Sequence, residues 1–291
     1  MEKRGGNLSG VHILTNSVSD ISPALAQELG VTLIPDTIAF GPGRQYLNNV
    51  DIDPPALYRE LANASKLPTT AHPNIAQFTD AFHAAAVGAS ELLCISLTSK
   101  MSGSCNTAGT AKKLLQEQGF TVPITVYDSL QVSFGQAVLV SEAAQMAKRG
   151  ATAAEIVARL DTLREHVGVY FVMPSLANAR KGGRVGAIRV LAADLLKVKP
   201  ILMFRDGLVR DVGIVRGMDA GIDRVVEHYR TGARYGQEVF LFHADREEKA
   251  KEVATRIQAI DPAAHIRIEW VGAVIGIYTG AGCIGVAFRE I

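Results

Sequence analysis

The sequence predicts an α/β protein of two domains, the first built on a largely parallel sheet and the second on a mixed sheet. Its 291 residues, 48% hydrophobic and 20% charged, are enough to bury a large core. Apolar runs typical of strands alternate with helical stretches in the first half, whereas from Gly168 onward the apolar runs follow each other closely. We therefore predict an N-terminal α/β domain at 1–167 and a C-terminal α/β domain at 168–291.

The first domain is predicted from apolar runs separated by helical stretches. The apolar runs indicate strands at 11–15, 31–40, 91–97 and 122–128. The helical stretches lie near 22–29, 53–64, 74–87 and 106–116. Asp53 before Pro54 marks one helix start, and Thr152 with Glu155 forms a capping box that opens another helix after Gly150. This alternation is typical of parallel strands joined by helices.

Closely spaced apolar runs predict the mixed sheet of the second domain. They lie at 168–173, 199–204, 207–216, 238–243, 265–271 and 273–288. Asp206-Gly207 is a hairpin turn signal, and the charged amphipathic stretch 245–260 predicts a helix that covers the sheet. The uncharged stretch 270–288 approaches the length of a membrane span, but its glycines oppose a long helix. We predict instead two strands around a turn at 279–282, and no membrane insertion.

Charge, cysteine content and motifs exclude several classes of function. The formal net charge of +1 gives no general attraction for nucleic acid, so we predict no such partner. Cys94, Cys105 and Cys283 are odd in number and form no CxxC pair, which indicates a reducing compartment and no metal site. Since no apolar export segment follows the charged N-terminus, we predict a cytoplasmic protein. A GxGxxG match at 280–285 leaves no room for a dinucleotide fold, and we predict no cofactor.

The most informative segment is 91–105, where an apolar run ends in a hydroxyl-rich loop ahead of a helix. The backbone N–H groups near Ser102, Gly103 and Ser104 are expected at the positive end of that helix, with small side chains around them. Such a loop can bind a carboxylate or a phosphate. An ordinary serine N-cap is the alternative interpretation.

Two further loops have the same character. Thr70 precedes a helix that starts near residue 74, and a turn of small residues begins at Thr279. Convergence of the three loops would build one oxyanion site from Thr70, Ser102, Gly103 and Thr279.

Seven segments, in order along nearly the whole chain, resemble the DegV family. They are LTNSVSD (14–20), LPTTAHP (67–73), SLTSKMSGS (96–104), YDS (127–129), SLANARKGGRVG (175–186), KPIL (199–202) and VIGIYTGAGCIGV (274–286). The resemblance implies two α/β domains with a deep lipid pocket between and within them. It also implies that the protein binds a long-chain fatty acid without transforming it, so we expect no enzyme and no catalytic residue. Some members present the bound carboxylate to a separate fatty acid kinase, which makes such a kinase subunit a candidate partner.

Matched residue by residue, the resemblance assigns carboxylate binding to Thr70 and Ser102. Tyr278 stands where the family has a histidine. A tyrosine is a neutral hydrogen-bond donor, whereas a histidine can become cationic. Asn16 stands where an aspartate is usual, and His72 where a glutamine is common. Loss of one negative charge and gain of an imidazole compensate electrostatically for Tyr278, so we include His72 and Tyr278 among the ligand-binding residues.

A basic segment adds one more candidate. Arg180, Lys181 and Arg184 flank the glycine pair at 182–183. We keep Arg184 as a ligand-binding candidate, in a cationic wall near the head group or in a contact with a partner. The alternative is a solvated turn with charged flanks.

Two other classes of function remain open at this point. An acyl hydrolase or transferase would use Ser102 as nucleophile and needs a histidine brought close by the fold, for which the loops suggest His72. A phosphate-ligand or nucleotide protein would use the same helix starts.

Overall fold

The computed structural model describes residues 10–183 and 198–291 of the chain. The first part of the chain forms a run of alternating strands and helices. Its strands are β1 (Val11–Asn16), β2 (Val31–Ile34), β3 (Thr37–Ala39), β4 (Gln45–Leu47), β5 (Thr69–Ala71), β6 (Glu91–Ser96) and β7 (Ile124–Asp128). Its helices are α1 (Pro23–Leu29), α2 (Pro54–Asn63), α3 (Ile75–Ala85), α4 (Ser104–Glu117), α5 (Phe134–Lys148) and α6 (Ala153–Leu163).

The remaining elements are mostly strands with helices between them. The strands are β8 (Val167–Val172), β9 (Val198–Arg205), β10 (Leu208–Arg216), β11 (Glu238–His243), β12 (His265–Trp270) and β13 (Ile284–Arg289). The helices are α7 (Ala177–Lys181), α8 (Met218–Gly232), α9 (Glu247–Ile260) and α10 (Ala273–Thr279). Short 3₁₀ turns cover Ser17–Ser19 and Arg164–His166. Within the described ranges, no helix combines the length and the apolar character needed to cross a membrane.

A four-stranded parallel sheet organises the first part, as predicted. Its strand order is β2-β1-β6-β7, and all three pairings are parallel. The strand order changes direction between β1 and β6, which leaves a crevice at the carboxyl ends of these two strands. The polar residues that follow β1 and β6 therefore lie beside that crevice.

The predicted strand 31–40 is in fact two strands in different sheets. β2 ends at Ile34, and β3 begins at Thr37 in a small antiparallel sheet of order β4-β3-β5. Pro35 has no N–H to continue a ladder, and Asp36 is held by the residues after β1, so the chain changes direction here. In this small sheet Ile38 pairs with Thr70, which fixes the first predicted hydroxyl residue.

A six-stranded mixed sheet organises the second part, also as predicted. Its order is β10-β9-β8-β13-β11-β12, in which only the β11–β12 pair is parallel among the described strands. Asp206 and Gly207 form the predicted hairpin turn between β9 and β10, both with positive φ. The position of the domain boundary near Gly168 stays a prediction.

The predicted hairpin at 273–288 is wrong in its first half. Residues 273–279 form α10, and only the second half is a strand, β13. The helix is short, β-branched and buried on several sides, so its sequence shows no amphipathic period. Gly276 fits here because a Cβ at that position would come within 2.6 Å of the Tyr58 hydroxyl on α2. Close packing, and not a turn, explains this glycine.

Helix α5 lies between the two sheets and contacts strands of both. Its residues from Phe134 to Ala144 are buried without interruption. The Phe134 ring stacks on Phe242 of β11, with centroids 4.8 Å apart and an interplanar angle of 10°. This helix joins the two sheets through one continuous apolar core, and a cavity lies beside it.

Candidate functional site

A cavity of about 500 Å³ lies between the carboxyl end of the parallel sheet and the inner face of the mixed sheet. This volume falls in the range of about 300–1,000 Å³ that is typical of small-molecule sites. Most of its wall is apolar and comes from both parts of the chain: Val18, Leu97, Met101, Val132, Val169, Phe171, Met173, Leu176, Ala179, Leu202, Phe204, Val209, Phe242, Val271, Val274, Ile275 and Cys283. A long apolar ligand is therefore the class that the wall suits.

The fold brings together most of the candidate residues predicted from sequence. Six of them line this one cavity: Thr70, His72, Ser102, Gly103, Tyr278 and Thr279. They come from three segments, namely β5 with the turn after it, the start of α4, and the end of α10. The seventh candidate, Arg184, lies outside the described residues. These residues thus contribute polar groups to a wall that is mostly apolar.

Thr70 and Tyr278 contact each other directly. The Thr70 Oγ1 and Tyr278 hydroxyl oxygens are 2.7 Å apart, and either can be the donor. The Tyr278 ring lies against Gly182 after α7, where a Cβ would come within 2.4 Å of two ring carbons. The glycine pair of the basic segment thus lies beside the polar end of the cavity and leaves room for the tyrosine ring.

Ser102 precedes the N-terminus of α4, whose N-cap is Gly103. The Ser102 hydroxyl oxygen accepts a hydrogen bond of 3.2 Å from the backbone N–H of Ser104. A hydroxyl can accept and donate at the same time, so the Ser102 proton can still bind an anion. The serine is therefore not the N-cap itself, and the positive end of a 14-residue helix adds to its attraction for an anion.

The His72 side chain is held through one ring nitrogen, and the other lies near Gly103. Nδ1 lies 3.0 Å from the carbonyl oxygen of Pro73, which only accepts, so Nδ1 is the donor in this contact. Nε2 faces Gly103, where a Cβ would lie 3.1 Å from that nitrogen. In the part of the chain that the structure describes, no hydrogen bond joins His72 to Ser102, as a nucleophile and its base would require.

Two buried carboxyl groups near the cavity were not predicted. Asp36 lines the cavity, and its Oδ2 accepts from the Ser17 hydroxyl at 2.9 Å and the Val18 N–H at 3.1 Å. Burial raises the pKa of Asp36 to about 6. Asp20 lies behind the wall, accepts from the Ser133 hydroxyl at 2.5 Å, and has a pKa that burial raises to about 8. The available signal was the run of polar residues directly after β1 for Asp20, and the Pro-Asp pair directly after β2 for Asp36.

The hairpin turn of the mixed sheet contacts the hydroxyl loop, which was also not predicted. The Thr98 hydroxyl donates to the carbonyl oxygen of Gly207 at 3.2 Å, and Lys100 Nζ donates to that of Asp206 at 2.8 Å. A Cβ on Gly207 would lie 2.6 Å from Thr98 Oγ1, so this close approach of the turn to Thr98 requires glycine at position 207. These contacts fix the loop that carries Ser102.

The described residues offer no metal site. No group of three or more His, Cys, Asp or Glu side chains within 10–183 and 198–291 is arranged to hold a metal ion. Cys94, Cys105 and Cys283 are free thiols. The chemistry available at the cavity is therefore that of hydroxyl groups, one imidazole, a helix N-terminus and a buried carboxyl.

Sequence comparison places this arrangement among known proteins. The model of the DegV family, described as an uncharacterised protein of that family, matches residues 10–290. A DegV domain-containing protein of Halalkalibacterium halodurans is 31% identical over 284 residues, which cover 97% of this chain and 99% of the relative. The match therefore includes both sheets and all three segments of the polar end.

Two solved structures share the fold. DegV of Bacillus subtilis, described as a fatty acid binding protein, has a TM-score of 0.85 at 24% identity over 97% of this chain and 100% of that one. The Fatty Acid Kinase B3 protein of Streptococcus pneumoniae, solved loaded with linoleic acid, has a TM-score of 0.82 at 20% identity over 97% and 100%. At these identities the likeness establishes the fold.

Proposed function

The chain belongs to the DegV family, and on this basis we propose that it binds a long-chain fatty acid and does not transform it. The observation that carries the proposal is the cavity of about 500 Å³, which is apolar along most of its wall and is also lined by Thr70, Ser102 and Tyr278. The acyl chain of a fatty acid needs an apolar wall, and its carboxylate needs polar groups. The Bacillus subtilis protein described as a fatty acid binding protein and the Streptococcus pneumoniae protein loaded with linoleic acid support the same ligand class.

The acyl chain would supply most of the binding free energy. Each CH₂ group removed from water contributes about 0.8 kcal/mol, and the wall offers Met, Phe, Val and Leu side chains with few polar atoms. Met101 and Met173 adapt easily to a flexible chain. The apolar wall therefore favours long-chain acids over short ones.

The carboxylate would bind at the polar end through hydroxyl donors. Thr70 and Tyr278 are linked by a hydrogen bond, and both residues line the part of the cavity where the carboxylate would bind. Ser102 supplies another donor, and Gly103, Thr279 and the start of α4 surround the same space. Hydrogen bonds from such donors to a charged oxygen are stronger than those between neutral groups.

The same arrangement favours binding over catalysis. A hydrolase or transferase would need Ser102 activated by a base, and the His72 nitrogens instead face Pro73 and Gly103. A phosphate ligand would suit the start of α4, but it has no apolar group that would contact the long apolar wall. We therefore propose a carrier with no cofactor that acts in the cytoplasm.

A separate kinase is the partner that we propose for this carrier. The support is the similarity of fold to the Fatty Acid Kinase B3 protein of Streptococcus pneumoniae. The carboxylate would lie near Gly182 at the end of α7, and Arg184, which is outside the described residues, stays a candidate contact for such a partner. We do not propose a nucleic acid partner.

Ligand titration tests the proposed function. Lipid-stripped protein titrated with oleate should show a rising melting temperature, because a ligand that binds only the folded state stabilises it. Methyl oleate is the matched control, since it keeps the acyl chain and removes the anionic oxygen. A melting temperature that does not respond to oleate or palmitate contradicts the proposal.

A further inference from the structure

Asp36 and His72 occupy facing positions at the polar end of the cavity. In the antiparallel β3–β5 ladder, Ile38 pairs with Thr70 and Thr37 with Ala71, so the next facing positions are Asp36 and His72. Side chains two residues apart on a strand point to the same side, which puts His72 on the side of Thr70. All three residues line the cavity.

Each member of this pair is fixed by other contacts. Asp36 is only 4% exposed and is held by the Ser17 hydroxyl and the Val18 N–H. His72 is held by the carbonyl oxygen of Pro73 and lies against Gly103. Neither side chain is therefore expected to swing out of the wall when a ligand arrives.

We propose that Asp36, at the position facing His72, is the ionisable group through which binding of the fatty acid anion takes up a proton. This inference rests on the proposed function. An ionised Asp36 carboxylate repels the carboxylate of the ligand in the same cavity, and water screens this repulsion poorly where the group is buried. A proton on Asp36 removes the repulsion.

The expected direction of the pH dependence follows from the buried carboxyl. Burial raises the pKa of Asp36 to about 6 without ligand, and a bound anion nearby raises it further. The complex then holds more protons than the empty protein just above pH 6, so affinity falls as pH rises through that window. The carboxyl group of the ligand stays ionised there, since ordinary carboxyl pKa values are about 4.

Other titratable groups lie near Asp36, and the experiment must distinguish their effects on affinity from that of Asp36. Asp20 follows the 3₁₀ turn that holds Asp36, and burial raises its pKa to about 8. Tyr278 faces the cavity from α10, and the Cys283 thiol does so with a pKa that burial raises. Asp20 is the group most able to produce a similar pH dependence, because its pKa lies close to that of Asp36. Asp20 does not line the cavity, however.

The decisive experiment measures oleate affinity by fluorescence displacement between about pH 6 and pH 8. Wild type should bind at least about threefold more tightly at the acid end, and Asp36→Asn should bind tightly with little pH dependence. Asp20→Asn, the matched control for a buried carboxyl, should keep the dependence. A wild-type slope that persists in Asp36→Asn overturns the proposal.

A second measurement needs no variant. Calorimetric titration of wild type with oleate near pH 7, in buffers of different ionisation enthalpy, should report net proton uptake by the protein, and oleyl alcohol should report much less. Binding without proton uptake overturns the role of Asp36 but leaves the proposed function intact. Absence of oleate binding at every pH contradicts the proposed function itself.

Discussion

The Thr70 and Tyr278 hydroxyl oxygens lie 2.7 Å apart although the two residues are separated by 208 positions in the chain. Thr70 is fixed by the small antiparallel sheet, and Tyr278 by α10. Because one hydroxyl donates to the other, loss of either hydroxyl breaks the hydrogen bond that orients both groups. The two residues should therefore act as one unit in ligand binding.

We expect Thr70→Val and Tyr278→Phe each to weaken fatty acid binding, by about 1–3 and 0.5–3 kcal/mol respectively. The double variant should lose less than the sum of the two, because both changes break the same link. Isothermal titration with oleate over the four proteins measures this coupling. Strictly additive losses would show that each hydroxyl binds the ligand independently, and wild-type affinity in Tyr278→Phe would remove the phenol from the site.

We expect Ser102→Ala to weaken oleate binding by about 1–3 kcal/mol, since a carboxylate oxygen then loses a donor. Ser99→Ala is a matched control in the same loop, because Ser99 does not line the cavity. The control should bind like wild type. Equal affinity in both variants, with unchanged circular dichroism, would move the head group away from α4.

Gly182→Ala should weaken binding by displacing the Tyr278 ring, because the added Cβ would come within 2.4 Å of it. The backbone of Gly182 has φ −77, so the alanine itself brings no backbone strain. Gly109→Ala, where a Cβ meets nothing within 4 Å, is the control and should not change affinity. An unchanged affinity for Gly182→Ala would contradict the close packing of the two residues.

The stability of the protein should depend on pH through Asp20. Burial raises the pKa of this carboxyl from 3.8 to about 8. The folded protein thus keeps a proton that the unfolded chain has released, so the free energy of unfolding falls as pH rises from about 4 to about 8.

Urea unfolding of wild type and Asp20→Asn at several pH values measures this effect. The variant should show a shallower fall, by up to about 1.4 kcal/mol for each pH unit, which is the contribution of one proton. The exposed Asp80→Asn should keep the wild-type slope. Identical slopes in wild type and Asp20→Asn would contradict a proton held at Asp20.

Alternation of apolar runs was enough to predict both sheets, because each buried strand is separated from the next by a capped helix or a turn. Capping signals at Asp53 and Thr152 were also correct, since they depend only on neighbouring residues. The split of the predicted strand 31–40 was missed because the contact of Asp36 with Ser17 spans 19 positions. Local patterns carry no information about such contacts.

The segment 273–279 was also predicted wrongly because its structure depends on tertiary contacts. Its β-branched residues favour a strand, but burial on several sides and contact with α2 stabilise a helix. The polar end of the cavity was still predicted, because hydroxyl residues and glycines mark the loops themselves. The facing positions of Asp36 and His72 were not predicted, because they depend on the register of the β3–β5 pair, and the sequence did not indicate that sheet.

Native mass spectrometry of the protein purified from a bacterial host tests the central claim most directly. Comparison of the masses under native and denaturing conditions reports whatever the cavity of about 500 Å³ contains. The account predicts an excess mass under native conditions that equals one long-chain fatty acid and that Thr70→Val combined with Ser102→Ala reduces. Equal masses in the two conditions, unchanged after incubation with oleate or palmitate, would contradict it.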